Sequence, residues 1–289
     1  MISMKAVDAA VQKIDSWQKR HRFPAFAYAV IKKYGEDESG KQAALLTYYG
    51  FLSLFPLLLV LTTVASQFLG NHPELHKEII KSVASYFPVL GSQLSQHISS
   101  IHKNGLALIV GIVFTLYGAR GVADAFRNSV QNIWKVPKDQ RPGFPKTVLN
   151  SLFIILVGGV GFLLASIITG LAATAGHGLA FRLLSIAVDL FILFWLFTFL
   201  LNSCLPKHIS VKDTSSGALS AAIGVIVLQA LGGYLLRLQL KNLDALYSYF
   251  AIALGLLFWI YLQSQLLHYA ITISAVRSQK LWPRSLAGE

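Results

Sequence analysis

Long apolar stretches alternate with shorter polar segments along most of this chain. Six stretches are each long enough for a helix to cross the hydrocarbon core of a bilayer, which takes about 20 residues. Backbone polar groups cannot bond to water inside lipid, so helices are the expected form. The pattern predicts an all-α, polytopic integral membrane protein with six transmembrane helices. These predicted spans lie at about 43–69, 105–122, 147–172, 180–202, 214–236 and 249–276.

The first predicted span contains a proline, Pro56, within an apolar run. Proline removes one helix hydrogen bond, so we expect a kinked first helix. Ser53, one turn earlier, is a candidate partner for the backbone carbonyl that the proline frees. Between the first two spans, residues 70–103 carry two apolar helical stripes that are broken at Pro88 and Gly91. This segment is therefore predicted to be an amphipathic helical hairpin on one side of the membrane.

The N-terminal segment, residues 1–42, precedes the first span and is also patterned as an amphipathic helix. Apolar residues recur at helical spacing among basic ones, namely at Val7, Val11, Ile14 and Trp17. Such a helix lies either on the membrane surface or against the protein's own cytoplasmic face, and the sequence leaves both interpretations open. The domain organisation that follows is a cytoplasmic segment 1–42, a transmembrane domain 43–276 with a cytoplasmic loop at 123–146, and a cytoplasmic tail 277–289.

Charge decides the orientation that we predict. The chain has 25 Lys and Arg against 13 Asp and Glu, a net charge of +12. If the spans are as predicted, 19 of the 25 basic residues fall on the side that holds both termini. Basic residues accumulate in cytoplasmic loops, so both termini are predicted to be cytoplasmic. Topology thus explains the basic excess without nucleic acid, which we do not expect as a partner.

One ionisable residue, Asp189, falls within the fourth span. A charged group in a span is costly and raises a functional-site hypothesis. Its candidate partners are Arg120 and Arg237, at the ends of the second and fifth spans. The alternative is a structural ion pair or hydrogen bond between helices.

The second span continues into an unusually polar helix. Arg120, Asp124 and Arg127 are spaced by four and three residues, so they share one helical face. That face could line the inner mouth of a cavity or contact the headgroups of anionic lipids. An ordinary solvated cytoplasmic helix would carry the same pattern.

Further polar residues within spans are Gln229, Gln263 and His268, which we expect to face the interior of the bundle. Imidazole titrates near neutral pH, so His268 could couple protons, although a hydrogen-bonded packing histidine is the more common case. Small residues in the third and fifth spans predict close contacts between helices. The sequence does not decide whether such faces also form a homodimer.

Sequence signals for catalysis are missing. There is no GxxxxGK[ST], HExxH, GxSxG or HxHxD motif, and the single cysteine, Cys204, rules out an intrachain disulfide. His72 and His76 flank Glu74, which fits a loop surface better than a metal site. No cleavable signal peptide is visible at the N-terminus. We therefore predict no enzyme activity, no catalytic or metal-ligating residues and no cofactor.

Four segments, in order along the chain, resemble signatures of the YihY/virulence factor BrkB family. They are TYYGFLSLFPLLL at 47–59, RGVADAFRNSVQNIWKV at 120–136, LPKHISVKDTSSGALSAA at 205–222 and FAIALGLLFWIYLQSQLLHYA at 250–270. The residues that the resemblance highlights are Tyr48, Tyr49, Ser53, Pro56, Asn132, Trp134, Pro206 and Trp259. One departure is that the last span lacks the Gly-Ala-Glu often found there, since this chain has His268-Tyr269-Ala270 instead.

The resemblance implies a six-helix inner-membrane protein, and roles proposed for the family lean toward transport or lipid movement in the envelope. The name ribonuclease BN, which some members carry, looks like a misassignment, because the residues build no nuclease site. We expect a transporter or lipid flippase for an amphipathic or anionic envelope solute, with membrane lipids contacting the basic rim. The alternative is a scaffold that binds partners without transporting. The hypothetical substrate pathway comprises Tyr48, Ser53, Arg120, Asp124, Arg127, Asp189, Gln229, Gln263 and His268.

Overall fold

In the computed structural model, the regular elements of the described residues are helices, and none of these residues forms a strand. The structure describes residues 12, 15–68, 105–141, 146–147, 149–151, 153–154, 156–159, 161, 179–240 and 248–285. At some helix ends it describes the backbone alone. The predicted hairpin at 70–103, with His72, Glu74 and His76, lies outside these residues.

Six helices organise the described chain, and they are numbered here in chain order. They are α1 (Arg22–Glu36), α2 (Ser39–Phe68), α3 (Gly105–Ile133), α4 (Leu179–Cys204), α5 (Val211–Leu240) and α6 (Ser248–Ser278). A short apolar helical segment, Leu149–Gly159, lies between α3 and α4 in the chain. Three stretches of the described residues are long and apolar enough to cross a membrane, namely Leu183–Cys204, Val211–Gly232 and Ala253–Ser278. An all-helical membrane protein is thus supported, while six spans are not confirmed.

Neighbouring helices pack in the order α3, α2, α6, α5, α4. Small residues permit the closest approaches, as the sequence predicted for the fifth span. A Cβ atom placed on Gly217 of α5 would lie 2.5 Å from the carbonyl oxygen of Ala270 in α6. One placed on Gly224 would lie 2.5 Å from the side chain of Leu266. At these positions the two backbones come together because no side chain separates them.

The buried core lies toward one end of the bundle. We call this end the terminal side, and define it as the end that holds Ile133, Cys204, Val211 and Ser278. The opposite end is the far side. Apolar side chains of α2 to α6 form a buried cluster at the terminal side, which includes Leu46, Phe126, Val130, Leu193, Phe197, Leu201, Ala218, Ala222, Ile271 and Ala275. Helix α3 runs on through this core to Ile133, so the segment after residue 122 begins as a packed helix and becomes a loop only later.

The N-terminal helix α1 packs on the C-terminal end of the chain at the terminal side. Ala29 and Val30 are buried with Val276, and the Lys32 ammonium donates to the Ser285 carbonyl at 3.1 Å. Asp37, which follows α1, accepts ion pairs from buried Lys33 at 2.8 Å and from Lys135 at 2.6 Å. Both contacts fit the interpretation in which this segment lies against the protein itself.

Helix α2 passes through Pro56 as one element, and the predicted kink is not confirmed. Nothing is described of the proline's side chain.

Candidate functional site

The polar face predicted on α3 is part of a buried network. Arg127 is almost fully buried, and its guanidinium donates to the Asp124 carboxylate at 2.8 Å. It also donates to the Ser151 hydroxyl at 2.8 Å and to the Thr147 carbonyl at 2.9 Å. The Ser151 hydroxyl in turn donates to Asp124 at 2.5 Å. Pairing and hydrogen bonding make the buried charge of Arg127 tolerable. The same contacts join α3 to the helical segment that follows it.

Arg120 lies seven residues before Arg127 and therefore on the same face of α3. Its surroundings differ, since its side chain is 55% exposed where that of Arg127 is 6% exposed. The Arg120 Nε atom lies 3.6 Å from the Asp124 carboxylate, a looser ion pair. The network is thus buried at Arg127, while the guanidinium of Arg120, at its far-side edge, remains accessible.

Asp189 is buried on α4, on the face that packs into the core. It lies 15 positions from Cys204, or about 22 Å along the helix at 1.5 Å per residue. It is the seventh residue of the candidate span Leu183–Cys204, about 9 Å along the helix from the far-side end of that span. Of its two predicted partners, Arg120 makes its described ion pair with Asp124, and the side chain of Arg237 lies outside the described residues.

Just beyond Asp189 the inward face of α4 loses its cover. Leu193 is 0% exposed, whereas Ile186, seven residues away on the same face, is 44% exposed. Leu201 is 0% exposed and Leu183, five turns away on the same face, is 58% exposed. Exposure on the outward, lipid-facing side of a span is ordinary, but these positions lie on the side that is packed elsewhere in the same helix. Helix α3 behaves alike, because Ala123 is buried and Leu116 is exposed.

His268 of α6 is fully buried and held on both sides. Its Nδ1 atom lies 2.7 Å from the Ser264 carbonyl oxygen and its Nε2 atom 3.0 Å from the Ser129 hydroxyl of α3. A carbonyl oxygen only accepts, so Nδ1 carries a proton in this arrangement. The Ser129 hydroxyl, which lies against Nε2, also lies 2.9 Å from the Ala125 carbonyl oxygen. These bonds join α6 to α3, which is the geometry expected of a packing histidine.

The two predicted glutamines are half-buried in neighbouring helices. Gln229 of α5 follows buried Ala218, Ala222 and Val225 along one helix face. Its side-chain nitrogen is buried and has no hydrogen-bond partner among the described residues. Gln263 of α6 lies one turn after fully buried Trp259.

The remaining predicted residues belong to α2. Tyr48 is exposed on the same stripe as Leu45 and Leu52, away from the buried core. Ser53 is buried, and its hydroxyl donates to the Gly50 carbonyl at 3.0 Å. Ser53 also lies where a Cβ atom on Gly118 would come within 2.6 Å, so it fills the contact between α2 and α3.

The structure thus brings Arg120, Asp124 and Arg127 together and places His268 in a separate contact between helices. Sequence reasoning missed their hydroxyl partners, Ser129 and Ser151. Each is a small residue in an apolar stretch, and only the tertiary contact reveals what its hydroxyl bonds to. Among the described residues, no group of three His, Cys, Asp or Glu is arranged to hold a metal ion.

Comparison with known proteins places these features in a family. The family model named Virulence factor BrkB matches residues 30–287. The chain belongs to this family. The match covers each of the helices numbered here from the middle of α1 onward, so the core at the terminal side is a feature of a BrkB-family chain.

Two relatives of this BrkB-family chain are named as membrane proteins, and a third is named as ribonuclease-like. It is 25% identical to the inner membrane protein YhjD of Escherichia coli (strain K12), over 92% of this chain and 86% of that protein. It is 25% identical to a UPF0761 membrane protein of Psychrobacter sp. (strain PRwf-1), over 88% of this chain and 48% of the relative. A ribonuclease-like protein of Bacillus subtilis (strain 168), YfkH, is 24% identical over 84% of this chain and 91% of its own length. No solved structure matches.

Proposed function

We propose that this BrkB-family protein moves an anionic amphiphile, of the kind that forms the envelope's lipids, across the inner membrane. It would do so as a multi-pass protein with both termini in the cytoplasm, the orientation that its basic residues favour. The observation that carries the proposal is the loss of cover on the inward faces of α3 and α4 at the far side. Ile186 and Leu116 are exposed there on faces that are packed at the terminal side.

The exposed inward faces of α3 and α4 carry aliphatic side chains, so they can pack against the methylene groups of an acyl chain. In a membrane such a surface is filled by lipid tails or by an apolar part of a solute. The accessible guanidinium of Arg120 lies at the terminal-side edge of this surface, next to Asp124. Guanidinium pairs well with phosphate or carboxylate, often through two parallel hydrogen bonds. An apolar surface that ends at an exposed, loosely paired cation is complementary to an anionic headgroup with its tails.

Asp189 and the buried side-chain nitrogen of Gln229 lie within the candidate spans of α4 and α5. Polar groups at such a depth are costly in lipid, and they commonly mark solute pathways in membrane proteins. In this proposal Arg127 and His268 have positioning roles, because both are buried in contacts that hold helices together.

The experiment is transbilayer movement of fluorescent phosphatidylglycerol in proteoliposomes, read by quenching the outer leaflet. The wild-type protein is expected to accelerate movement over protein-free vesicles. Arg120→Ala is expected to slow it several-fold and Arg120→Lys to restore part of the rate. Lys138→Ala, an exposed cation on the turn after α3, is the matched control and should leave the rate unchanged.

Two outcomes would overturn the proposal. One is a wild-type rate equal to that of empty vesicles, and the other is an Arg120→Ala rate equal to wild type. A fluorescent phosphatidylcholine, run in parallel, tests the charge preference. Equal acceleration of both lipids would remove the anionic part of the proposal. A protein that moves neither lipid would instead favour a scaffold role.

A further inference from the structure

Helix α1 has two apolar faces, and the structure covers only one of them. The inner face carries Ala25, Ala29 and Val30, which are buried against the C-terminal part of the chain. On the opposite side Phe23 is 82% exposed and Ile31 is 61% exposed. Ala27 lies between them at the i+4 position, so the three residues form one stripe. A helix of a water-soluble surface would carry polar residues here.

Basic side chains border this stripe at its N-terminal end. Lys19 and Arg20 are exposed in the helical stretch that precedes α1, and Arg22 is exposed at the first position of α1. Trp17, in the same preceding stretch, is 55% exposed. Lysine, arginine and tryptophan are the residues that prefer the headgroup level of a bilayer. Cations at this level are attracted to anionic lipids, at about 1 kcal/mol each near the surface.

The stripe is also continuous in the chain with a surface that faces lipid. Helix α2 begins three residues after α1 ends, and its first exposed apolar residues are Leu45, Tyr48 and Leu52. These three share one face of a helix that the sequence predicts to enter the membrane. A short turn at Asp37 and Glu38 connects α1 directly to this helix.

We propose that the Phe23–Ile31 face of α1 docks on an anionic lipid surface, with its aromatic and aliphatic side chains in the headgroup layer. The inner face stays on the protein through the ion pairs of Asp37 with Lys33 and Lys135. Helix α1 thus lies between the bilayer and the C-terminal end of α6. This role is independent of transport.

The test uses single-cysteine variants of the full chain in proteoliposomes. A nitroxide label is attached at Phe23→Cys or Ile31→Cys in a Cys204→Ala background, because native Cys204 is the only other thiol and is buried. Asp139→Cys, on the exposed turn after α3, is the aqueous control. The measurement is the label's collision rate with oxygen relative to that with a water-soluble nickel chelate.

In vesicles rich in phosphatidylglycerol we expect the ratio at positions 23 and 31 to be several-fold higher than at position 139. It should fall when phosphatidylcholine replaces the anionic lipid or when salt is raised. A ratio equal to that of the control would overturn the proposal. So would protection from both reagents, which would indicate that a second copy covers this face. A high ratio that ignores lipid charge would overturn the anionic requirement.

Discussion

Helices α3 and α4 each carry one inward face along their length, and the two ends of that face differ in how far the protein covers them. Toward Ile133 and Cys204 the face is packed, with Leu193 fully buried and Arg127 bonded on several sides. Toward the far side the equivalent positions, Ile186 and Arg120, are uncovered. The side chains at both ends are of the same chemical kind. In a bilayer, lipid tails and protein side chains are similarly apolar surroundings for an aliphatic residue. Only the packing therefore distinguishes the rigid end of the face from the accessible end.

The strongest test of this comparison is the arginine pair. Arg127→Ala should destabilise the protein by about 1.5–3 kcal/mol, because it removes the buried guanidinium that donates to the half-buried Asp124 carboxylate. Arg120→Ala should cost only about 0–1 kcal/mol, as expected for an exposed pair. Denaturant or thermal unfolding in detergent micelles measures both. Equal losses for the two variants would mean that the far side is packed as well.

Paired aliphatic truncations on α4 probe packing without charge. Leu193→Ala should cost about 2–5 kcal/mol, since it opens a cavity in a fully buried cluster. Ile186→Ala removes a similar side chain from an uncovered position and should cost clearly less. The same unfolding measurement applies. If the loss at Ile186 matched that at Leu193, the inward face at the far side would have to be closed by protein.

Glycine substitutions sharpen the comparison at the backbone. Gly217→Ala should destabilise by about 1–3 kcal/mol, because the new methyl group would meet the Ala270 carbonyl and Ser274. Gly159→Ala has nothing within 4 Å and is the control. It should be neutral or stabilising by about 0.4–1 kcal/mol, through loss of chain freedom in the unfolded state. A neutral Gly217→Ala would argue against the close contact of α5 with α6.

The smallest effect tests whether α1 belongs to the packed side. The Tyr34 hydroxyl donates to the Gln265 side chain, and its ring stacks on Tyr269 at 4.0 Å between centroids. Tyr34→Phe should cost about 0.5–1.5 kcal/mol, the usual value of one such hydrogen bond. A loss near zero would indicate that α1 is held by its ion pairs alone.

The same residue gives a pH dependence. Burial, helped by the nearby Tyr269 and Tyr261 hydroxyls, raises the pKa of Tyr34 to about 12. An unfolded tyrosine ionises near pH 10, so the unfolded chain loses its proton first. This contribution to stability is complete below about pH 10 and is lost as the pH rises toward 12. In Tyr34→Phe that part of the alkaline loss should be missing from the unfolding profile. An unchanged profile would contradict the assignment to Tyr34.

Much of the architecture could be read from the pattern of apolar residues. Stretches such as 180–202 and 214–236 predicted α4 and α5 because a helix is the only way to satisfy the backbone of a single segment in lipid. The shared face of Arg120, Asp124 and Arg127 also followed from helical spacing alone. Their different surroundings did not, because Ser151 and Thr147 reach Arg127 from another element.

The sequence by itself determined that the chain is helical, belongs in a membrane and carries cations mainly on the side of its termini. These properties follow from length, hydropathy and charge, which are local sums along the chain. The tertiary structure decided which arginine is buried, which face of α1 is covered, and where the inward faces of α3 and α4 lose their cover. Such facts depend on contacts between residues that are distant in sequence. The aliphatic character of Ile186 and Leu193 does not reveal them, because an aliphatic side chain can be covered by either lipid or protein.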